Sequence, residues 1–483
     1  MGSKWISTTL GDIAQNESGA VDGPFGSNLP ASSYVVSGIP VIRGSNLSIG
    51  LTRFRSDDFV YVSEETFKKL KRSECLPEDI LFTKKGTLGQ TGIVPSDGKY
   101  SHYLLSSNQM RLRVDRNQAL PDYVYYFVSS KRSLEKIKRE SESTGVPKIN
   151  LDYLKKFKIT LPPLDEQRRI VHLLKVLDEK IELNRQMNET LEQMAQALFK
   201  SWFVDFGPVI DNALDAGNPI PEELEARAEQ RKQLRDAEAQ GEASAPSLPD
   251  EIRALFPSEF ELTDEMGWIP KGWKIESIND ATELIIDHRG KTPKKLGSDW
   301  CGYGYPAISA KNIKSGRLVN RDSIRFVDHD LYQKWMKDPI QPGDIALTSE
   351  APLGELYYFS EKCDYLLSQR LYGLRADHEK CSGAYLYFWL KSDLAWQDLE
   401  SRATGTTVVG IRQSELRKVK VLIPSANVMD CFSCQASAFL KRVEKQEQQI
   451  EQLEKIRDSL LPKLISGELQ IPDAEQQIAE ALS

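Results

Sequence analysis

Residues Leu154–Pro163 read "LKKFKITLPP", and Leu416–Ser425, 262 residues further on, read "LRKVKVLIPS". Each is a basic run-up, a short alternating strand and a proline stop. Other pairs follow in the same order. "GIPVIRGSNLSIG" (Gly38–Gly50) answers "GYPAISAKNIKSG" (Gly304–Gly316), and "LPEDILFTKKGTLG" (Leu76–Gly89) answers "QPGDIALTSEAPLG" (Gln341–Gly354). "YLLSSNQ" (Tyr103–Gln109) answers "YLLSQ" (Tyr365–Gln369), and "DYVYYFV" (Asp122–Val128) answers "AYLYFWL" (Ala384–Leu390). Ordered matches at a nearly constant offset mark a duplicated unit of domain size rather than a solenoid repeat.

Within each unit, short apolar runs closed by Gly or Pro read as strands, Tyr123–Ile137 has helical spacing, and "GTLGQTG" (Gly86–Gly92) reads as a loop. The expected fold is α+β, two similar mixed α/β domains separated by long helices. From Asp165 to about Phe203 there is no Gly or Pro and strong helix formers dominate. A narrow apolar stripe includes Leu177, Ile181, Leu191 and Leu198, with Asn184 in the same seam. The second copy carries Val443, Gln446, Ile450, Leu453 and Leu460. So narrow a stripe suits one partner helix, and the simplest partner for each is the other, as an antiparallel coiled coil. Two readings stay beside it: each helix packs on its own domain, or the seam recruits a second chain. The chain then divides into a domain at 1–163, a spacer helix at 164–206, an acidic linker with a short helix at 207–270, a second domain at 271–424, a second spacer helix at 425–466 and a tail at 467–483.

The net charge of −7 is unevenly spread. Residues 1–160 hold 23 Lys and Arg against 17 Asp and Glu, residues 271–424 hold 23 against 20, and residues 207–270 hold 5 against 15. Two mildly basic domains therefore stand beside an acidic connector, which argues against nucleic acid at the connector only. Six cysteines make no disulfide framework, no run of 18 apolar residues occurs and the N-terminus has no apolar signal core, so a reducing cytosol is expected. Catalytic signatures are missing. "GKTP" (Gly290–Pro293) lacks the first glycine of a phosphate loop, the five histidines are scattered, and "CFSC" (Cys431–Cys434) has no second pair at zinc spacing and reads as two small buried helix residues. The chain is read as non-catalytic and metal-free.

At "LPPLDEQRRI" (Leu161–Ile170), followed by the long helix, the sequence resembles the specificity subunit of a type I restriction–modification enzyme. "DGPFGSNL" (Asp22–Leu29), "DILFTKKGTLGQTGIV" (Asp79–Val94), "STGVPKINLDYLKKFKI" (Ser143–Ile159), "FKSWFVDFGPV" (Phe199–Val209) and "IRALFPSEFE…GWIPKGW" (Ile252–Trp273) agree with it. The second copy departs from the pattern, with "LIPSANVMDCF" in place of "LPPLDEQRRI". The resemblance implies two target recognition domains, each reading half of a split DNA sequence, and a helical ruler between them. It also implies two modification (methyltransferase) subunits as partners, carrying S-adenosylmethionine and adenine-N6 chemistry, and up to two restriction motor subunits using ATP and Mg. No cofactor is expected in this chain. A scaffold with two protein-binding domains on a helical spacer is the alternative; it leaves the basic glycine loop at 83–92 without a purpose.

DNA contact needs Lys and Arg for phosphates and side chains that reach base edges, carried on loops. In the first domain the candidates are Ser27, Asn28, Arg43, Asn46, Lys84, Lys85, Thr87, Gln90, Lys148 and Asn150. In the second they are Arg289, Lys291, Lys311, Asn312, Arg370 and Arg412. Lys84-Lys85 becomes Ser349-Glu350 in the second copy, as two different half-sites require.

Overall fold

The computed structural model describes residues 5–51, 53–141, 148–240 and 248–482. Ser143–Pro147 of the "STGVPKIN" motif and Gly241–Ser247 of the connector lie outside the described residues. The chain forms two compact units, Met1–Asn184 with Gln448–Ser483, and Arg185–Glu447.

In the first unit the strand of the opening motif, Lys158–Leu161, pairs antiparallel with Ile6–Thr9. One five-stranded sheet contains Ile39–Ile42 between Val60–Val62 and Tyr103–Leu105, the last of these running parallel to it. A second five-stranded sheet places Gln109–Leu112 between Ala20–Asp22 and Ile80–Thr83, with Gln90–Ile93 beyond. The second unit repeats the central strands of this arrangement in a four-stranded and a three-stranded sheet. Lys274–Ser277 pairs with Lys420–Ile423. Tyr305–Ile308 lies between Arg325–Val327 and Leu366–Leu367, the latter again parallel. Leu371–Ala376 lies between Thr282–Asp287 and Ile345–Ser349, with Leu353–Tyr358 beyond.

The duplication extends to single side chains. Arg113 donates twice to Asp79, at 2.8 and 2.8 Å, and Arg375 twice to Asp344, at 2.9 and 2.8 Å. Each carboxylate is 1% exposed or less and also accepts a backbone N–H at 2.8 Å, from Leu76 or Gln341. A forked guanidinium and a turn N–H satisfy a buried carboxylate that would otherwise be costly to enclose. Gly38 and Gly304 occupy matching corners at φ 152° and 124°, where an added Cβ would sit 2.3 or 2.4 Å from the carbonyl oxygen of Val62 or Val327. Only glycine fits there.

Gln167 explains the Asp-Glu-Gln turn. It is fully buried, accepts the Leu120 N–H at 2.9 Å and donates to the Pro162 carbonyl at 2.8 Å, tying helix entry to the domain. In the second copy Met429 stands at that place, with its Sδ 3.3 Å from the Ser382 N. The departure at "LIPSANVMDCF" thus exchanges an amide clamp for a buried thioether and keeps the helix.

The long helices span Leu164–Phe199 and Ala426–Ser466, 36 and 41 residues. Both cross from one unit to the other. In the first unit Arg457 donates to Asp178 at 2.9 Å and Asn184 to Gln449 at 3.0 Å. In the second, Asn188 donates to Glu447 at 3.0 Å, and further along the Phe199 ring centre lies 5.5 Å from that of Phe432. As one residue number rises its partner's falls, so the two helices run antiparallel within each unit. Leu177, Ile181, Ile450, Leu453 and Leu460 share the first unit's core with Tyr123 and Tyr126. Leu198 packs against the second unit's core, while Leu191 and Val443 are half-buried. Asn184 and Gln446 are 2% and 8% exposed.

The 207–270 connector is more structured than a surface linker with one short helix. It holds helices Gly207–Ala216 and Glu225–Ala239 and a hairpin, Phe260–Thr263 with Gly267–Pro270, and Val209, Leu224, Phe256 and Ile269 along it enter the second unit's core. Its acidity is partly consumed internally, by Asp211 with Arg231 and by Asp215 with Arg235 and Arg253. The last stretch is likewise a helix, Ile471–Leu482, because Ile471, Ala474 and Ile478 lie three and four residues apart and all enter the first unit's core. Cys431 and Cys434 lie on the second long helix, half-buried and exposed respectively, so the pair is not buried as a whole.

Candidate nucleic-acid interface

In the first unit, strands Ile80–Thr83 and Gln109–Leu112 end side by side, and a later segment crosses their tips. Lys84 N–H donates to the Asn108 carbonyl at 2.7 Å, Ile149 N–H donates to the Lys84 carbonyl at 3.0 Å, and Lys85 bridges Lys148 through the backbone. This brings Lys84, Lys85, Lys148 and Asn150 together. Lys85 and Lys148 are exposed, while Lys84 lies 3.4 Å from Asp22. Asn150 spends its side-chain oxygen on the N-cap of helix Leu151–Lys156, accepting the Tyr153 N–H at 2.7 Å. Gly86, at φ 103°, has open space where a Cβ would stand, and Thr87 beside it is exposed. A phosphate can approach this backbone closely.

Other first-domain candidates lie elsewhere or are occupied. Ser27 and Asn28 sit in a separate exposed 3-10 turn, Gly26–Asn28. Arg43 is held by Asp58 at 3.0 Å. Gln90 turns inward and donates to the Gly44 and Leu47 carbonyls, at 3.2 Å each. Asn46 is fully buried; it accepts the Arg43 N–H at 2.9 Å and donates to the Arg55 and Asp57 carbonyls at 3.1 and 2.9 Å. Asn312 repeats this role, accepting from Ser309 N–H at 3.1 Å and donating to Asn320 O at 3.2 Å. The two asparagines, expected at DNA, build the loops from within and present no polar group outward.

In the second unit Lys291, Lys311 and Arg370 line one cleft of about 280 Å3 together with Arg325, whose guanidinium lies 5.2 Å from the centre of the Trp300 ring. Four cations around one cleft suit a polyanion. Lys291 also acts on its neighbour: burial first, and then the Lys291 charge, push the His288 imidazole down to about 4. Arg412 is exposed, directly after Ile411, whose N–H donates to the Ser349 carbonyl at 3.0 Å. Arg289 is committed inside the unit, bidentate to Asp287 at 2.8 and 2.8 Å and over the Tyr372 ring at 4.1 Å.

Sequence reasoning missed Arg325 and Asn108. Arg325 opens a strand with no glycine or basic cluster beside it. Asn108 was hidden by matching "YLLSSNQ" to "YLLSQ" with a gap, whereas the paired strands need none and set Asn108 opposite Arg370. Among the described residues no cluster of three metal-ligating side chains occurs, and no helix is long and apolar enough to cross a membrane.

The sequence matches the family model of the type I restriction modification DNA specificity domain twice, over residues 3–193 and 270–456. The chain belongs to that family. Among curated relatives, the type I restriction enzyme HindI specificity subunit of Haemophilus influenzae is 29% identical over 410 residues, covering 80% of this chain and 87% of the relative. The MjaIX specificity subunit of Methanocaldococcus jannaschii is 24% identical over 447 residues, covering 86% and 85%. A crystal structure of the type I restriction–modification S subunit from M. genitalium has the same fold, with a TM-score of 0.52, 13% identity and 96% of each chain covered. This specificity-family chain carries its two family matches on the two repeats.

Proposed function

We propose that this specificity subunit reads a split duplex DNA sequence, one repeat per half-site, and holds modification subunits in place for methylation at the site. The supporting observation is the matched pair of cationic strand-end sites, alike in backbone and different in side chains, one on each repeat. Residues 1–163 and 271–424 act as the two reading domains, and 164–206 with 425–466 act as the coiled-coil spacer that fixes the gap between half-sites. Bond-making steps, with S-adenosylmethionine and, where restriction subunits join, ATP and Mg, fall to the partners. Lys84, Lys85 and Lys148, and Lys291, Lys311, Arg325 and Arg370, supply the phosphate attraction that gives binding its salt dependence.

Two measurements test this. Reading modified adenines across a genome in cells expressing the chain with its modification subunits should return one split motif; methylation without a two-part motif refutes the reading. Removing seven residues from each long helix at facing positions, 185–191 and 443–449, shortens each by about 10 Å and should shorten the tolerated gap by about three base pairs. An unaltered gap refutes the spacer.

A further inference from the structure

The backbone bonds at the two strand-end sites give an exact residue correspondence only because they are the same bonds. In the first unit they run Lys84 N–H to Asn108 O and Ile149 N–H to Lys84 O; in the second, Ser349 N–H to Arg370 O, at 2.8 Å, and Ile411 N–H to Ser349 O, at 3.0 Å. The bridge of Lys85 to Lys148 has its counterpart in Glu350 to Gly410. Lys85 therefore corresponds to Glu350, Asn108 to Arg370 and Asn150 to Arg412. Residues that hold the scaffold are the same in both copies: Asp79 and Asp344, Arg113 and Arg375, Thr83 and Thr348. Outward from these constant pairs, Lys85 and Glu350, Asn108 and Arg370, and Asn150 and Arg412 each differ in charge or hydrogen-bonding pattern.

The chemistry of the changed residues is specific. Arg370 is exposed, at a left-handed backbone position (φ 64°), with its Nε 2.9 Å from the Glu350 carboxylate. An adjacent guanidinium and carboxylate complement a G·C pair in the major groove: the arginine donates to O6 and N7 of guanine, and the carboxylate accepts from N4 of cytosine. An asparagine at the same corner matches adenine, donating to N7 and accepting from N6. Asn108 is exposed. We propose that Asn108 and Arg370 are corresponding base readers, Asn108 for an adenine in one half-site and Arg370, with Glu350, for a G·C pair in the other. This rests on the reading of the chain as a split-sequence DNA reader and adds which residues specify which bases.

The test uses the intact chain in complex with its modification subunits, with genome-wide mapping of modified adenines and competition by duplexes altered one base pair at a time. Arg370→Lys keeps the charge and loses the fork; it should loosen one G·C position in one half-site about five- to 150-fold and leave the other half unchanged. Asn108→Arg should move one position of the other half-site from adenine towards guanine. The competition assay reads base preference without methyl transfer, so a weakly methylating variant still reports. A wild-type split motif that both variants keep intact, or a loosening that spreads over both halves, overturns the assignment while leaving the split-reader function standing. A wild-type complex with no split motif overturns both.

Discussion

Arg457→Met is expected to destabilise the first unit by about 3 kcal/mol. Arg457 and Asp178 face each other at 2.9 Å across the two long helices, with 10% and 13% of their side-chain surface exposed. The other carboxylate oxygen of Asp178 accepts the Tyr126 hydroxyl at 2.6 Å, so one acid joins both helices to the first domain. Burial opposes the Arg457 charge, and Asp178 and then Asp458 more than compensate, which holds its pKa above the usual value. Methionine fills the space but leaves Asp178 enclosed with one neutral donor. Stranding one member of a buried pair costs about 3–5 kcal/mol; the residual solvent access on both side chains places this case at the lower end. In a unit of this size that corresponds to a fall in melting temperature of about 6–12 °C. Adding Asp178→Leu removes the stranded charge and should restore at least half of the loss. Native-state hydrogen exchange over Leu164–Asn184 in the full chain reads the effect locally. A single-variant loss below about 1 kcal/mol, or a double variant as damaged as the sum of two singles, would show that the bond does not carry the joint.

Two other outcomes follow from geometry already given. Lys84→Ala with Lys85→Ala should weaken DNA binding by the assembled complex and make its log–log salt slope shallower by up to about 1.8, less if Asp22 already neutralises Lys84; an unchanged slope removes this loop from the interface. His288 is 7% exposed and held neutral at about 4, so between its unfolded value near 6.5 and 4 the unfolded chain binds a proton that the folded chain does not. Its contribution is complete above pH 6.5 and is lost as pH falls through 4, at most about 3 kcal/mol. His288→Asn should flatten this part of the acid-stability curve, measured by denaturant midpoints at pH 7 and 4.5; identical curves refute it.

The duplication was legible because the residues that make the scaffold are the ones with least freedom. Gly38 and Gly304 have no room for a Cβ, and Asp79 and Asp344 need their arginines, so the copies kept them and the eye can align on them. The helices were legible from composition and periodicity. The asparagines of "GSN" and "AKN" looked like surface polar residues because sequence does not reveal that a loop closes over its own amide; Asn46 and Asn312 are buried. The connector looked like a linker because charge dominates its composition, while the few apolar residues that enter the core, Val209, Leu224 and Phe256, are far apart. Arg325 and Arg370 become one site only when separate strands and turns bring them to one cleft, a convergence without local spacing.

The first unit is completed by the last 36 residues of the chain, Gln448–Ser483. During translation its core therefore waits for Ile450, Leu453, Leu460 and Ile478, which leave the ribosome on the order of 15–50 s after residue 184. Arg185–Glu447 is continuous and has no such delay. The nascent polypeptide thus finishes its later half before its earlier one, and a premature stop near the C-terminus would leave the domain encoded first without part of its core.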